Sequence, residues 1–129
     1  MNRRLFLLAL VTLVPLTLFG GGSDIRTMSA KALRSRLASQ PSPLVVDVRE
    51  IEEFEEGHID AALLKPLGTI ESFKADKDRE IVLVCRSGRR SGIAYEKLAA
   101  LGYRNLWNLE GGMLAWQKLG YPVVRKEKK

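Results

Sequence analysis

Two kinds of apolar run alternate along this chain once its first two dozen residues are passed. Leu44-Val45-Val46-Asp47-Val48 and Ile81-Val82-Leu83-Val84 are nearly continuous, the pattern of strands covered on both faces. Elsewhere apolar residues recur at helical spacing. Ala30, Leu33 and Leu37 follow Ser29, which predicts a capped helix ended by Pro41-Ser42-Pro43. Ala94, Leu98 and Leu101 predict a helix stopping at Gly102, and Met113, Trp116 and Leu119 one ending at Gly120. Glu50 to Glu56 predicts a short acidic helix closed by Gly57, Ile70 to Ala75 a brief helical piece, and Tyr103 to Leu109 a further strand. A short strand is expected near Ile25, while Leu63 to Leu67 is too short to assign. Strands separated by helices define the fold class as α/β, a mostly parallel central sheet flanked by helices. In such sheets ligands gather beyond the carboxyl ends of the strands. Cys85, the only cysteine, stands at such an end.

The first residues follow a different pattern. Met1-Asn2-Arg3-Arg4 is basic, Leu5 to Phe19 is almost wholly apolar, and Gly20-Gly21-Gly22-Ser23 is small. That succession is the pattern of a signal peptide. The apolar run of about 15 residues falls short of the roughly 20 that span a bilayer, and Pro15 interrupts it. Residues 1–22 are therefore expected to be a signal peptide, with an uncleaved N-terminal anchor as the alternative, and residues 23–129 a single domain. The expected location is periplasmic or otherwise exported, with membrane contact only if the N-terminal segment is retained. An apolar content of 46% supplies a core for one domain of this size. One cysteine excludes an internal disulfide. The formal charge of +6 is interspersed with acidic residues, and only Arg125-Lys126-Glu127-Lys128-Lys129 is a cationic run, so no nucleic-acid partner is expected.

Candidate chemistry lies where the Ile81–Val84 run gives way to Cys85-Arg86-Ser87-Gly88-Arg89-Arg90-Ser91. A strand delivers the sulfur to the sheet edge, and a tight turn aims successive N–H groups inward. The helix that follows then presents its unpaired N–H groups. Such surroundings lower a cysteine pKa and hold anions. The bland alternative is a cysteine serving as a small buried hydrophobe.

The chain resembles the single-domain rhodanese family, the thiosulfate and persulfide sulfurtransferases. The resemblance is carried by Asp47-Val48-Arg49-Glu50, Phe54, Gly57-His58-Ile59, the cysteine loop, and Asn108-Leu109-Glu110-Gly111-Gly112-Met113-Leu114-Ala115-Trp116 with Gly120-Tyr121-Pro122-Val123. It covers roughly residues 24 to 124. Asp60-Ala61-Ala62 departs from the Pro-Gly-Ala that often follows Gly-His-Ile in the family.

The resemblance implies a rhodanese-like domain that moves a sulfane sulfur from thiosulfate or a related donor to cyanide or a thiol through a Cys85 persulfide. Its partners would be a small sulfur donor and a thiophilic acceptor, with no cofactor, no metal, and a monomeric chain. Cys85 is the catalytic candidate, and Arg86, Ser87, Gly88, Arg89, Arg90 and Ser91 the substrate-binding loop. Arg86 and Arg89 are expected to dock a donor dianion. Arg90 either joins them or pairs with an acidic side chain to brace the turn. A cysteine phosphatase would need an arginine at the position of Ser91 and commonly a histidine where Val84 stands. A non-enzymatic rhodanese-like module, binding a partner or sensing oxidants through Cys85, is the alternative of a different class. His58 belongs to the Gly-His-Ile turn, since one histidine and one cysteine make no ligand set. Asp47 and Arg49 are expected in scaffold roles at a strand end, Trp107 and Trp116 in or beside the core. Glu50, Glu52, Glu53, Glu55 and Glu56 are expected on a solvated face.

Overall fold

The computed structural model describes residues 24–127. The expected signal peptide and the last two lysines lie outside the described residues. Among the described residues five parallel strands form one sheet: β1 (Thr27–Met28), β2 (Leu44–Asp47), β3 (Leu63–Leu64), β4 (Ile81–Val84) and β5 (Leu106–Leu109). Their spatial order is β1-β5-β4-β2-β3. Four helices connect and follow them: α1 (Ala30–Leu37), α2 (Ile51–Glu56), α3 (Arg89–Ala100) and α4 (Gly112–Lys118).

Strand alternation divides the core into two layers. Ile81, Leu83 and Cys85 face one way, with Val46, Val48, Ala94, Leu98 and Tyr103; Val82 and Val84 face the other, with Leu33, Leu109, Met113 and Trp116. The chain leaves β2 toward β3 on one side and leaves β4 toward β5 on the other, although β2 and β4 are neighbours. The ends of these two strands therefore flank the switch point of the sheet, where a crevice is expected.

The elements depart from the sequence reading in instructive places. Ser29 caps α1 as expected, its hydroxyl accepting from the Ala32 N–H. The brief helix placed at 70–75 is a 3₁₀ segment over Leu67–Ser72, because the Pro66 carbonyl accepts from both the N–H and the hydroxyl of Thr69 and starts the turn early. The helical spacing puts Leu101 and Leu119 on apolar helix faces, yet both are exposed. Each stands just past its helix, before a glycine of positive φ that turns the chain away. The final strand begins at Leu106 rather than Tyr103, whose hydroxyl instead donates to the Phe73 carbonyl.

The chain after α4 returns to the α2 side of the molecule. His58 and Val124 exchange both backbone hydrogen bonds, and the Lys126 N–H donates to Glu55 O. Among the described residues no helix is long and apolar enough to cross a membrane.

Leu83 is wholly buried on the central strand. Leu83→Ala should cost about 3 kcal/mol of stability, the range typical of a core cavity that relaxes only partly. Urea denaturation measures this, and a loss under 1 kcal/mol would show that the two layers collapse into the space.

Candidate functional site

β4 ends at Val84, and residues 86–91 wrap around the sulfur of Cys85, which is fully buried. Gly88 is the pivot. At φ 104 it adopts a left-handed conformation that turns the chain into α3 and sends its N–H back to Cys85 Sγ at 3.0 Å. The Ser91 hydroxyl oxygen lies 3.2 Å from the same sulfur. Burial pushes the Cys85 thiol up, but hydrogen bonding outweighs it: the Ser91 hydroxyl and the N–H groups of Ser91, Gly88 and Ser87 favour the thiolate, so the thiol ionises below its ordinary value.

A loop whose N–H groups point inward must point carbonyls outward, and buried carbonyls need donors. The start of α4 supplies them. Met113 N–H donates to Cys85 O at 2.9 Å and Leu114 N–H to Arg86 O at 3.1 Å, using two N–H groups that a helix N-terminus leaves free. This contact leaves no room for a side chain at Gly112, where a Cβ would sit 2.4 Å from Cys85 O and where φ is +55.

The predicted loop residues divide by environment. Arg86, Ser87 and Arg89 are exposed, and neither Arg86 nor Arg89 meets a carboxylate among the described residues. Arg90 points both Nη atoms at Glu53 of α2, at 2.7 and 2.9 Å. The hydrogen bond from Arg90 chiefly holds the Glu53 carboxyl at about 2, and Glu53 in turn raises the guanidinium. Ser91 is buried against the sulfur and takes no place at the mouth.

Behind α2 stands the buried pair Asp47–Arg49. Arg49 Nε and Nη2 reach the carboxylate at 2.8 to 3.1 Å, the Arg49 N–H donates to Oδ1 at 3.0 Å, and Nη2 also donates to Gly57 O at 2.8 Å. Both residues act as scaffold, tying the end of β2 to the end of α2. His58 stacks on Phe54 at 3.6 Å and donates from Nδ1 to Phe54 O at 2.7 Å, a structural part of the same corner. No group of three or more metal-ligating side chains occurs among the described residues.

Three participants were not named from the sequence. Glu53 falls among the five glutamates expected on a solvated face, yet its carboxylate meets Arg90 and accepts from the Glu50 N–H at 3.3 Å. Asn108 was read only as part of a motif, yet an amide inside the apolar run Leu106–Leu109 was its signal: Oδ1 lies 2.6 Å from Ser91 Oγ, and Nδ2 donates to Gly88 O at 3.0 Å. Gly112, beside Gly111, marked a close approach of backbones. A separate cavity of about 500 Å³ lies at the opposite ends of the strands, near Leu44, Val45 and Trp116, and shares no residue with the cysteine loop.

The sequence matches the rhodanese-like domain family over residues 29–119. It is 37% identical over 105 residues to a sulfurtransferase of Allochromatium vinosum, an alignment covering 80% of this chain and 98% of that protein. A rhodanese-like domain protein from Staphylococcus aureus superposes with a TM-score of 0.69 at 34% identity, covering 80% of this chain and 100% of the other. A rhodanese-related protein from Thermoplasma volcanium gives 0.69 at 32% identity, covering 77% and 97%. The chain belongs to the rhodanese-like family, and its relatives place it among sulfurtransferases of the rhodanese type.

Glu53 carries a pH signature. Its carboxyl stands at about 2 against an ordinary 4.5, so the brace to Arg90 contributes its full stability above pH 4.5 and loses it as pH falls toward 2. The difference in thermal midpoint between the wild type and Glu53→Gln should therefore shrink over that window. A difference that stays constant would show that the pair contributes nothing charge-dependent.

Proposed function

We propose that this protein transfers a sulfane sulfur from a small anionic donor such as thiosulfate to a thiophilic acceptor, with Cys85 as the carrier. The observation that carries the reading is the convergence of loop N–H groups and the Ser91 hydroxyl on one sulfur whose ionisation they favour. The Cys85 thiolate attacks the outer sulfur of thiosulfate. A new S–S bond forms, the bond to the sulfonate sulfur breaks, and sulfite leaves with the electron pair. Cyanide or a thiolate then attacks the outer sulfur of the persulfide, and Cys85 departs as thiolate. The two half-reactions share one covalent intermediate, so ping-pong kinetics follow. The N–H groups that favour the thiolate suit the persulfide anion equally, since both place negative charge inside the loop.

Arg86 and Arg89 are assigned to the donor, because they are the exposed loop guanidiniums without a carboxylate partner among the described residues. Ser87 and Gly88 contribute N–H groups. Arg90 and Ser91 serve from behind, through Glu53 and through the sulfur. Residues 1–22 are assigned to export, on the strength of the basic Arg3-Arg4 and the apolar run that follows.

Thiocyanate formation from thiosulfate and cyanide tests the reaction. Wild type should turn over and Cys85→Ser should not, while remaining folded. An ionised thiol that yields no thiocyanate with any small donor would favour the redox-sensing or binding module instead. Arg86→Ala and Arg89→Ala should each lower kcat/KM for thiosulfate about ten- to hundredfold, the worth of one charge-assisted hydrogen bond, and spare an uncharged persulfide donor. Equal losses for both donors would mean that these arginines shape the loop rather than dock the anion. N-terminal sequencing of protein from fractionated cells should find a start near residues 21 to 24 in the exported fraction. An intact Met1 in the membrane fraction would establish the anchor.

A further inference from the structure

The Ser91 hydroxyl has one proton and two neighbours able to accept it. Its oxygen lies 3.2 Å from Cys85 Sγ and 2.6 Å from Asn108 Oδ1. The amide orientation is settled independently. Asn108 Nδ2 donates to the Gly88 carbonyl at 3.0 Å, an atom that only accepts, and this leaves Oδ1 facing Ser91. Two oxygens at 2.6 Å require a proton between them. The hydroxyl proton therefore lies toward Asn108, and Ser91 shows the sulfur a lone pair. That arrangement suits a thiol, whose S–H donates to Ser91 Oγ. A thiolate needs the hydroxyl turned round.

We propose that Asn108 is a positioning residue of the sulfur site, whose side-chain carbonyl competes with Cys85 for the Ser91 proton and so sets how strongly that hydroxyl engages the sulfur. When Cys85 loses its proton to solvent, the Ser91 hydroxyl rotates toward the sulfur and gives up its bond to Asn108. The cradle N–H groups act on the sulfur throughout, so Asn108 moderates their effect and does not cancel it. Its second contact, to Gly88 O, keeps the loop in place in both states.

Several charged groups surround Cys85, and the exchange uses none of them. Arg86, Arg89 and Arg90 lie on its own loop and the start of α3, with Glu53 of α2 held by Arg90. The Asp47–Arg49 pair closes the end of β2. From β5 and α4 come the uncharged Asn108, Gly112 and Met113, with Glu110 exposed beyond β5.

The proposal rests on Cys85 as the reactive group, but its test reads ionisation rather than sulfur transfer, so the two can fail separately. In the full chain, the midpoint of iodoacetamide alkylation against pH should fall by about one unit in Asn108→Leu, giving roughly tenfold more thiolate below both midpoints. Ser91→Ala should raise the midpoint, and adding Asn108→Leu to that background should move it no further. A midpoint that rises or stays in Asn108→Leu would overturn the proposal, a rise being the mark of a residue that only clamps Gly88. A fall that persists in the Ser91→Ala background would overturn it as well. In the wild type, the Asn108 side-chain amide resonance should titrate with the Cys85 midpoint, and an amide indifferent to that titration would count against the coupling.

Discussion

The site depends on one constraint: a sulfur that carries charge while cut off from water must find hydrogen-bond donors in the protein. The loop meets it by turning its N–H groups inward onto Cys85. That choice propagates. The carbonyls of Cys85 and Arg86 face outward and are met by the first turn of α4, and α4 can come so close only because residue 112 has no side chain. The Gly88 carbonyl is met in turn by the Gly92 N–H and by Asn108. Helix α4 is thus as much a part of the cradle as the loop, though separated from it by a helix and a strand.

A second set of contacts holds the open side of the loop. Arg49 is buried together with Asp47, an arrangement whose desolvation cost approaches its Coulombic gain, so its value lies less in net stability than in geometry. Through Gly57 O it anchors the end of α2, and α2 presents Glu53 to Arg90. The half-exposed pair at the surface and the buried pair beneath it form one path from the end of β2 to the start of α3. Removing either should loosen the loop without touching the sulfur directly.

Much of this was legible in the sequence, for identifiable reasons. The two nearly continuous aliphatic runs read as covered strands, and Cys85 at the end of one of them stood where a parallel sheet exposes its ligands. Ser29, Gly57, Gly102 and Gly120 marked boundaries because caps depend on local backbone chemistry. What escaped reading was set by contacts distant in sequence. Glu53 is one of five nearby glutamates, and only the fold, which brings α2 beside the start of α3, singles it out for Arg90. Asn108 faces Ser91 because β5 neighbours β4, a pairing that periodicity does not reveal. Leu101 and Leu119 followed the helical spacing but fell one residue beyond the helices that the spacing described.

The depth of Cys85 has a consequence for the order of events. A sulfur with no exposed surface is out of reach of another protein's thiol, and two copies of the chain cannot bring their cysteines to the roughly 2.05 Å of a disulfide. The bare site is therefore closed to cross-linking between copies of the chain. In the reaction proposed above, an added sulfur would stand one S–S distance beyond Cys85, within reach of the loop N–H groups. An acceptor would then meet that outer sulfur before the buried Cys85 itself.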